Sequence, residues 1–373
     1  MRRIPVWADV VLIPLINLLL AVFVSGLVVL YIGESPVKAM RVLLQGSIGS
    51  AYAWGYTLYY ATNFIFTGLA VAVAFHARLF NIGGEGQAGL GGLGVALVMM
   101  AWDWPHWALA LPAGIIASAL FGAAWAAIPA WLQAKRGSHI VITTIMFNFI
   151  ASALLVYLLV NHLKLPGSMS PETPPFPPGA HLPTAHEILA WVGVKFPKSP
   201  PVNIALLLAL LAAFAVWVLI WRSRLGYEIR AFGHSEEAAR YGGIAPVRII
   251  MLTMLISGAL AGMMAVNAVQ GEAERLVLDS VQGAGFVGIA VALMGRSHPV
   301  GVILAAILFG MLYQGGVELE FEMPAISREM IVVIQALVIL FTGALDNMVR
   351  LPVSRLFHRR GRGGGRAGAG GNG

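Results

Sequence analysis

Ten apolar segments make up most of the chain, and they restrict its fold more than any other feature. A helix rises about 1.5 Å per residue, so about 20 apolar residues cross the roughly 30 Å hydrocarbon core of a bilayer. Because every backbone polar group needs a partner in lipid, these segments can cross only as helices. They cover residues 10–31, 57–75, 86–101, 107–132, 140–160, 203–221, 249–268, 283–295, 299–316 and 329–346. The sequence therefore predicts an all-α, polytopic membrane protein of about ten transmembrane helices.

Composition supports this fold class. Charged residues form 11% of the chain, whereas soluble domains usually contain about 25%. The segments 86–101 and 283–295 are short and rich in glycine, so the sequence leaves open that either is broken or only partly inserted. The apolar stretch 10–31 is long enough to span, and no cleavage site follows it. We interpret it as the first membrane helix rather than as a signal peptide.

The distribution of charge predicts the topology. An even number of spans places both termini on one side of the membrane. If that side is the cytoplasm, the internal segments hold 17 of the 24 lysine and arginine residues, and 11 of the 17 acidic residues lie outside. Membrane proteins keep basic residues in cytoplasmic loops, so we predict an N-in, C-in topology. The same rule explains the net charge of +7 without a nucleic-acid partner.

Three segments are predicted to lie outside the membrane. Residues 161–202 hold half of the 20 prolines and predict an external, semi-rigid loop. Residues 222–248 form a charged internal loop, and residues 350–373 form a basic, glycine-rich cytoplasmic tail that we expect to be disordered. We therefore expect a single transmembrane domain over residues 1–349, followed by this tail.

A short internal similarity suggests a repeat. The sequence "GLAVAVAF" at 68–75 resembles "GIAVALMG" at 288–295, and a polar break follows each. In the predicted topology both copies run from outside to inside. Two parallel repeats of this kind are a common way to build a transporter. The alternative is chance, since helices rich in glycine, alanine and valine resemble one another.

The stretch "FNIGGEGQ" at 80–87 places polar groups inside an apolar region. An ionisable group in a membrane segment costs about 2.5–3.5 kcal/mol and is a functional candidate by default. One interpretation places Asn81, Glu85 and Gln87 on a translocation pathway, where they contact substrate or a gate. The other is structural: the amides knit a helix break together, and Glu85 accepts hydrogen bonds from the backbone exposed at Gly83 and Gly84.

A further polar group, Asn148, lies in the helix-like stretch "TTIMFNFI" with Thr143 and Thr144. We assign it to the same pathway or break, and its simplest role is an interhelical hydrogen bond, worth about 0.6 kcal/mol on average in membranes. Motifs for catalysis are absent from the sequence: it has no cysteine, no phosphate-binding loop and no metal-binding His/Glu spacing. An enzymatic function is therefore disfavoured, and we expect no metal site.

A short docking helix is predicted inside the segment 222–248. Ser235 is a suitable N-cap, and Glu236 and Glu237 suit the positive end of a helix dipole. Gly242 and Gly243 then end the helix after about two turns. The helix is either an ordinary amphipathic connector or a docking element for a cytoplasmic partner.

The same residues carry a resemblance. Glu237, Ala238 and Ala239, followed by Gly243, have the E-A-A-x-x-x-G spacing of the coupling loop in permease subunits of ABC importers. Three further blocks resemble permeases for nucleosides and simple sugars, of the ribose and branched-chain amino acid type. They are "ATNFIFTGLAVAVAFHARLFNIGGEGQ", "HIVITTIMFNFIA" and "GIAVALMGRSHPVGVILAAILFG". In order, the four blocks cover much of residues 55–310.

The resemblance implies a permease subunit that imports a nucleoside across the bacterial inner (plasma) membrane by alternating access. Its partners would be a cytoplasmic ABC ATPase, a second permease subunit that is a different chain, and an external lipoprotein or periplasmic substrate-binding protein. The chain itself would need no cofactor, because ATP is bound by the ATPase. Two alternatives stay open: a permease for a simple sugar such as a pentose, and a stand-alone secondary transporter, for which Glu85 would be the ion-coupling acid.

Overall fold

The computed structural model describes residues 12–341, which are helical apart from turns, connections and two isolated β-bridges. The predicted tail at 350–373 lies outside these residues. The helices, in chain order, are α1 (Ile13–Tyr31), α2 (Pro36–Ile48), α3 (Ala51–His76), α4 (Gly84–Ala101), α5 (Trp107–Arg136), α6 (Ile140–Leu158), α7 (Ala185–Trp191), α8 (Ala205–Arg222), α9 (Arg224–His234), α10 (Glu236–Tyr241), α11 (Pro246–Ala265), α12 (Ala284–Met294), α13 (Pro299–Glu322) and α14 (Arg328–Ile339). Short π-helices extend α6 over Leu159–Leu163 and α11 over Val266–Ala273.

The chain divides into two compact units. The first comprises Met1–Leu43 and Gly316–Gly373, and the second comprises Leu44–Gly315. In the described part of the first unit, buried aliphatic side chains such as Val29, Leu319 and Ile334 form a core. All the candidate site residues lie in the second unit.

Six helices are long and apolar enough to cross a membrane within the described residues, or seven if the bent pair α1 and α2 forms one span. The predicted segment 283–295 is not a full span, because α12 has 11 residues and is about 16 Å long. The prediction of an all-α, multi-pass protein is thus confirmed. Within residues 12–341, which include only part of the predicted span 329–346, fewer full spans are present than the ten predicted. A hydropathy pattern does not distinguish a half-length buried helix from one that crosses the membrane.

The second unit is held together by close approach of helix backbones. A Cβ atom added to Gly122 of α5 would overlap the carbonyl oxygen of Gly258 on α11, and one added to Gly262 would overlap that of Ser118. Gly258 and Gly262 are one helical turn apart, the small-residue spacing that lets membrane helices pack tightly. Gly91 of α4 packs against Gly262 in the same way.

The two similar segments lie side by side. Gly288 of α12 packs against Thr67 of α3. Nine residues further along each segment, the His76 Nε2 atom lies 3.1 Å from the carbonyl oxygen of Ser297. Pairs that advance together along the two segments show that they run parallel. This agrees with the predicted direction, although their origin as a sequence repeat stays a prediction.

The proline-rich segment 161–202 is fixed against the chain that precedes α12. The backbone N–H of Thr173 donates to the carbonyl oxygen of Leu276 at 3.0 Å, and that of Phe176 donates to the carbonyl oxygen of Glu274 at 2.8 Å. An ion pair between Glu172 and Arg275 at 3.0 Å supports the same contact. The segment thus contains ordered structure, including α7, rather than a flexible linker.

Candidate functional site

The stretch predicted as a helix break separates α3 from α4. α3 ends at His76 and α4 begins at Gly84, so the residues between them are not helical. Asn81 and Gln87 are each 1% exposed and face one another across this break. The Asn81 Nδ2 atom donates to the Gln87 Oε1 atom at 2.9 Å, and the Gln87 Nε2 atom donates to the Asn81 Oδ1 atom at 3.1 Å. The two amides are therefore hydrogen-bond partners, and this pair links the break to α4.

A serine hydroxyl on α11 ties this amide pair to α3. The Asn81 Nδ2 atom also donates to the Ser257 Oγ atom at 2.8 Å, and the Ser257 hydroxyl donates to the carbonyl oxygen of Ala70 at 2.7 Å. Ser257 is fully buried. α3, the break and α11 are thus joined by one hydrogen-bonded chain, which we call the Ser257 link. Sequence analysis does not single out Ser257, because many serines on apolar helix faces are equivalent candidates.

α6 also contacts the break through two polar side chains. The Asn148 Nδ2 atom donates to the carbonyl oxygen of Ile82 at 2.9 Å, and the Asn148 Oδ1 atom accepts from the backbone N–H of Gly86 at 2.9 Å. The Thr144 hydroxyl oxygen accepts from the backbone N–H of Ile82 at 3.4 Å. Asn148 therefore makes the interhelical contact expected of it and joins Ile82 in the break to Gly86 in the first turn of α4.

Glu85 does not cap the backbone that the sequence assigns to it. Its carboxylate accepts hydrogen bonds from the backbone N–H groups of Gly283 at 2.8 Å and Gly285 at 2.9 Å, where α12 begins. A carboxylate there is stabilised by the unpaired N–H groups and the positive end of the helix dipole. The expected capping of Gly83 and Gly84 is thus a wrong prediction.

Two features explain the difference. The Asn81 Oδ1 atom already accepts from the backbone N–H of Gly83 at 2.9 Å. A Cβ atom on Gly285 would overlap the backbone of Glu85, so the starts of α4 and α12 touch. The Gly84 backbone also packs near Gly285. A contact between helices so far apart in the chain leaves no local pattern in the sequence.

A small cavity of about 100 Å³ adjoins this contact. It lies between the start of α4, one face of α6 and the segment 276–281, and it is lined in part by Glu85, Asn148 and Ser280. Of the predicted pathway residues, Asn81 and Gln87 thus hydrogen-bond to one another. Glu85 and Asn148 border open space.

The predicted docking helix is present as α10. The Ser235 Oγ atom accepts from the backbone N–H of Ala238 at 3.2 Å, as expected of an N-cap. Gly243 has a φ of +82°, a conformation that favours glycine, and the helix ends just before it. Glu236 and Glu237 are exposed, whereas Ala239 is buried.

The segment 222–248 is not a loop, in contrast to the prediction, because α9 occupies its first half. α9 begins where the Ser223 Oγ atom accepts from the backbone N–H of Gly226 at 3.0 Å. Its many charged residues suggested a loop, but α9 buries Ile229, Phe232 and the charged residue Glu228, while Arg224 and Tyr227 are exposed. A groove of about 370 Å³ separates the exposed face of α9 from α10.

Residues 54–343 match the family model described as branched-chain amino acid transport system / permease component. With its apolar helices, this defines the chain as a multi-pass permease of the cell membrane. The chain belongs to that permease family, and its resemblance to ABC importer permeases is confirmed.

Three relatives match most of the chain. A glucose ABC transporter permease protein of Haloferax volcanii is 34% identical over 96% of this chain and 94% of its own length. A guanosine ABC transporter permease protein of Bacillus subtilis is 35% identical over 89% of this chain and 93% of its own. A nucleoside ABC transporter permease protein of Lactococcus lactis is 32% identical over 89% and 90%. No solved structure matches the chain.

Proposed function

We propose that this permease imports a nucleoside across the cell membrane, driven by a separate ATPase. The observation that carries the substrate class is the likeness to permeases named for guanosine and nucleosides over 89% of the chain. Membership of the ABC permease family implies an ATPase and a substrate-binding protein as partners. The sequence has no phosphate-binding loop of its own, so ATP is assigned to the partner.

α10 is the proposed docking element for the ATPase. It is short, capped at both ends and exposed along the face that carries Glu236 and Glu237, and Tyr241 is 95% exposed. We assign Ser235, Ala238, Ala239 and Gly243 to the same coupling element, where they cap it, pack it and end it. Closure of two ATPases on binding ATP would then move this helix and the spans attached to it.

The proposed topology places this element in the cytoplasm. Both termini are inside, the proline-rich segment 161–202 is outside, and the chain crosses the membrane about ten times, with α12 as the helical part of one crossing. The charge distribution of the sequence supports this arrangement. The partner permease is proposed to be a different chain, and the substrate-binding protein is proposed to be an external lipoprotein or periplasmic protein.

The helix break is the proposed moving part of the pathway. Glu85 and Asn148 border the cavity, and Gly83, Gly84, Asn81 and Gln87 hold the backbone around it. Discontinuous helices near the centre of the membrane form the substrate sites of many transporters. Rearrangement of these hydrogen bonds would open and reclose the path.

A simple sugar is the second candidate substrate, because the glucose permease of Haloferax volcanii covers 96% of this chain. The two can be separated by reconstituting the permease with its partner permease, ATPase and binding protein in proteoliposomes. We expect ATP-dependent uptake of labelled guanosine that excess unlabelled nucleoside blocks and excess ribose or glucose does not. Uptake of a free sugar with no uptake of nucleoside would overturn the nucleoside assignment.

A further inference from the structure

α9 is packed against the membrane helices through two glycines on one face. Gly226 and Gly233 are seven residues apart, which is about two helical turns. A Cβ atom on Gly233 would overlap the carbonyl oxygen of His76 at the end of α3. A Cβ atom on Gly226 would overlap the carbonyl oxygen of Leu219 on α8. Backbone therefore meets backbone, and α9 cannot shift along this face without displacing the end of α3.

A buried carboxylate fixes α9 to α11 as well. The side chain of Glu228 is 11% exposed, and its Oε2 atom lies 3.6 Å from the Nη1 atom of Arg248 on α11. Its Oε1 atom lies 3.3 Å from the Nε atom of Arg224 within α9 itself. The side chains of Arg224 and Arg248 are 93% and 62% exposed, so the carboxylate is the shielded partner, and loss of the arginines would leave a largely buried negative charge unpaired.

α9 and α10 share a single connecting residue. The backbone N–H of Ser235 donates to the carbonyl oxygen of Ala231 at the end of α9, at 3.2 Å. Its hydroxyl oxygen accepts from the backbone N–H of Ala238 in α10. One residue thus caps both helices, and no flexible linker separates the docking element from α9.

α9 contacts α3 and α11, and the Ser257 link joins the same two helices at the break. Gly233 lies at the end of α3, and Arg248 lies at the start of α11. The His76 Nε2 atom, beside Gly233, also contacts the carbonyl oxygen of Ser297 after α12. A displacement of α9 therefore acts on α3 and α11 at one end, and these meet again at Asn81 and Ser257.

We propose that α9 is the lever that converts docking of the ATPase at α10 into movement of the helix break, with Gly233 and Glu228 as positioning residues. This inference rests on the proposed function. Glu228 and Gly233 are both buried within the permease. They act by keeping α9 in register with α3 and α11, so their loss uncouples ATP hydrolysis from transport.

The test compares the number of ATP molecules hydrolysed per nucleoside imported in the complete reconstituted complex. Glu228→Gln keeps the shape of the side chain and removes both ion pairs, and Gly233→Ala forces α9 away from His76. We expect each to raise this ratio about threefold or more, the range by which residues between coupled sites change coupling. Assembly of the complex, checked by size-exclusion chromatography, stays intact in the Glu228→Gln variant.

Matched controls separate the lever from general damage. Arg224→Gln removes the ion pair within α9 and leaves the pair to α11, and Gly26→Ala in α1 adds a Cβ atom whose nearest neighbour lies 3.5 Å away. Both are expected to keep the wild-type ratio. A wild-type ratio for Glu228→Gln, or an equal rise for Arg224→Gln, overturns the lever. Absence of ATP-driven uptake by the wild-type complex would instead refute the proposed function.

Discussion

The carboxylate of Glu85 accepts a hydrogen bond from the backbone N–H of Gly283 at 2.8 Å, and so begins a helix 198 residues further along the chain. This contact joins the two discontinuous elements of the second unit, the break before α4 and the half-length helix α12. An ionisable side chain in a membrane segment thus has a structural partner, which also places it beside the cavity.

Replacing Glu85 with Gln should weaken the start of α12. The amide keeps one acceptor oxygen, but its NH₂ group faces the second backbone N–H, which loses its partner. An unpaired buried donor costs about 1–3 kcal/mol, so we expect a lower midpoint of thermal unfolding for the detergent-solubilised protein. Asp103→Asn, an exposed change of the same kind, is the control and should leave the midpoint unchanged. An unchanged midpoint for Glu85→Gln would show that the carboxylate does not hold α12.

Replacing Asn81 with Ala should lower the stability of the protein more than the same replacement at an exposed asparagine. The change leaves the Gln87 side chain and the backbone N–H of Gly83 without partners, each costing about 1–3 kcal/mol when buried. Asn161→Ala is the control, because that amide is exposed and bonds only within its own helical stretch. The measurement is the unfolding midpoint together with uptake. Equal midpoints for the two variants would contradict the amide network.

A charge reversal in α10, or a bulky residue at the glycine that follows it, should abolish uptake without affecting folding. Glu237 is exposed, so Glu237→Lys alters the docking surface but no internal contact. Gly243→Trp forces a bulky residue into a left-handed backbone conformation at φ +82° and displaces the end of α10. Copurification of the partner permease should persist in both variants, and uptake of labelled nucleoside should fall to background. Asp103→Lys is the control for charge, and normal uptake by Glu237→Lys would refute the docking role.

The topology can be tested directly because the chain contains no cysteine. Met169 is 99% exposed in the proline-rich segment, and Tyr241 is 95% exposed at the end of α10. In intact cells a membrane-impermeant maleimide should label Met169→Cys, and it should label Tyr241→Cys only after the membrane is permeabilised. The opposite pattern would place α10 outside and remove any basis for contact with a cytoplasmic ATPase.

The local part of the site could be predicted from the sequence, and the long-range part could not. Ser235 followed by two acidic residues and two glycines marks a helix by its caps alone, and α10 follows that pattern. The break before α4 is likewise visible in its glycines and amides. The partners of Glu85 and Asn81 on α12 and α11 depend on tertiary packing, which produces no recognisable pattern in the sequence.

The prediction of a loop where α9 lies was wrong for a related reason. Seven of the 25 residues from 222 to 246 are arginine or glutamate, and this density of charge suggested a loop. The structure buries Gly226 and Gly233 against neighbouring backbone. Glycines weaken a helix by propensity, by about 1 kcal/mol each relative to alanine, so the close backbone packing of Gly226 and Gly233 explains why glycine is present in α9.

If a separate ATPase drives this permease, as proposed, uptake depends on ATP and not on a proton gradient. Proteoliposomes that contain the assembled complex can be loaded with ATP or with a non-hydrolysable analogue, with and without a protonophore, and labelled guanosine uptake measured. We predict uptake that requires hydrolysable ATP and is unaffected by the protonophore. Uptake that persists without ATP and collapses with the proton gradient would contradict the claim and identify a secondary transporter.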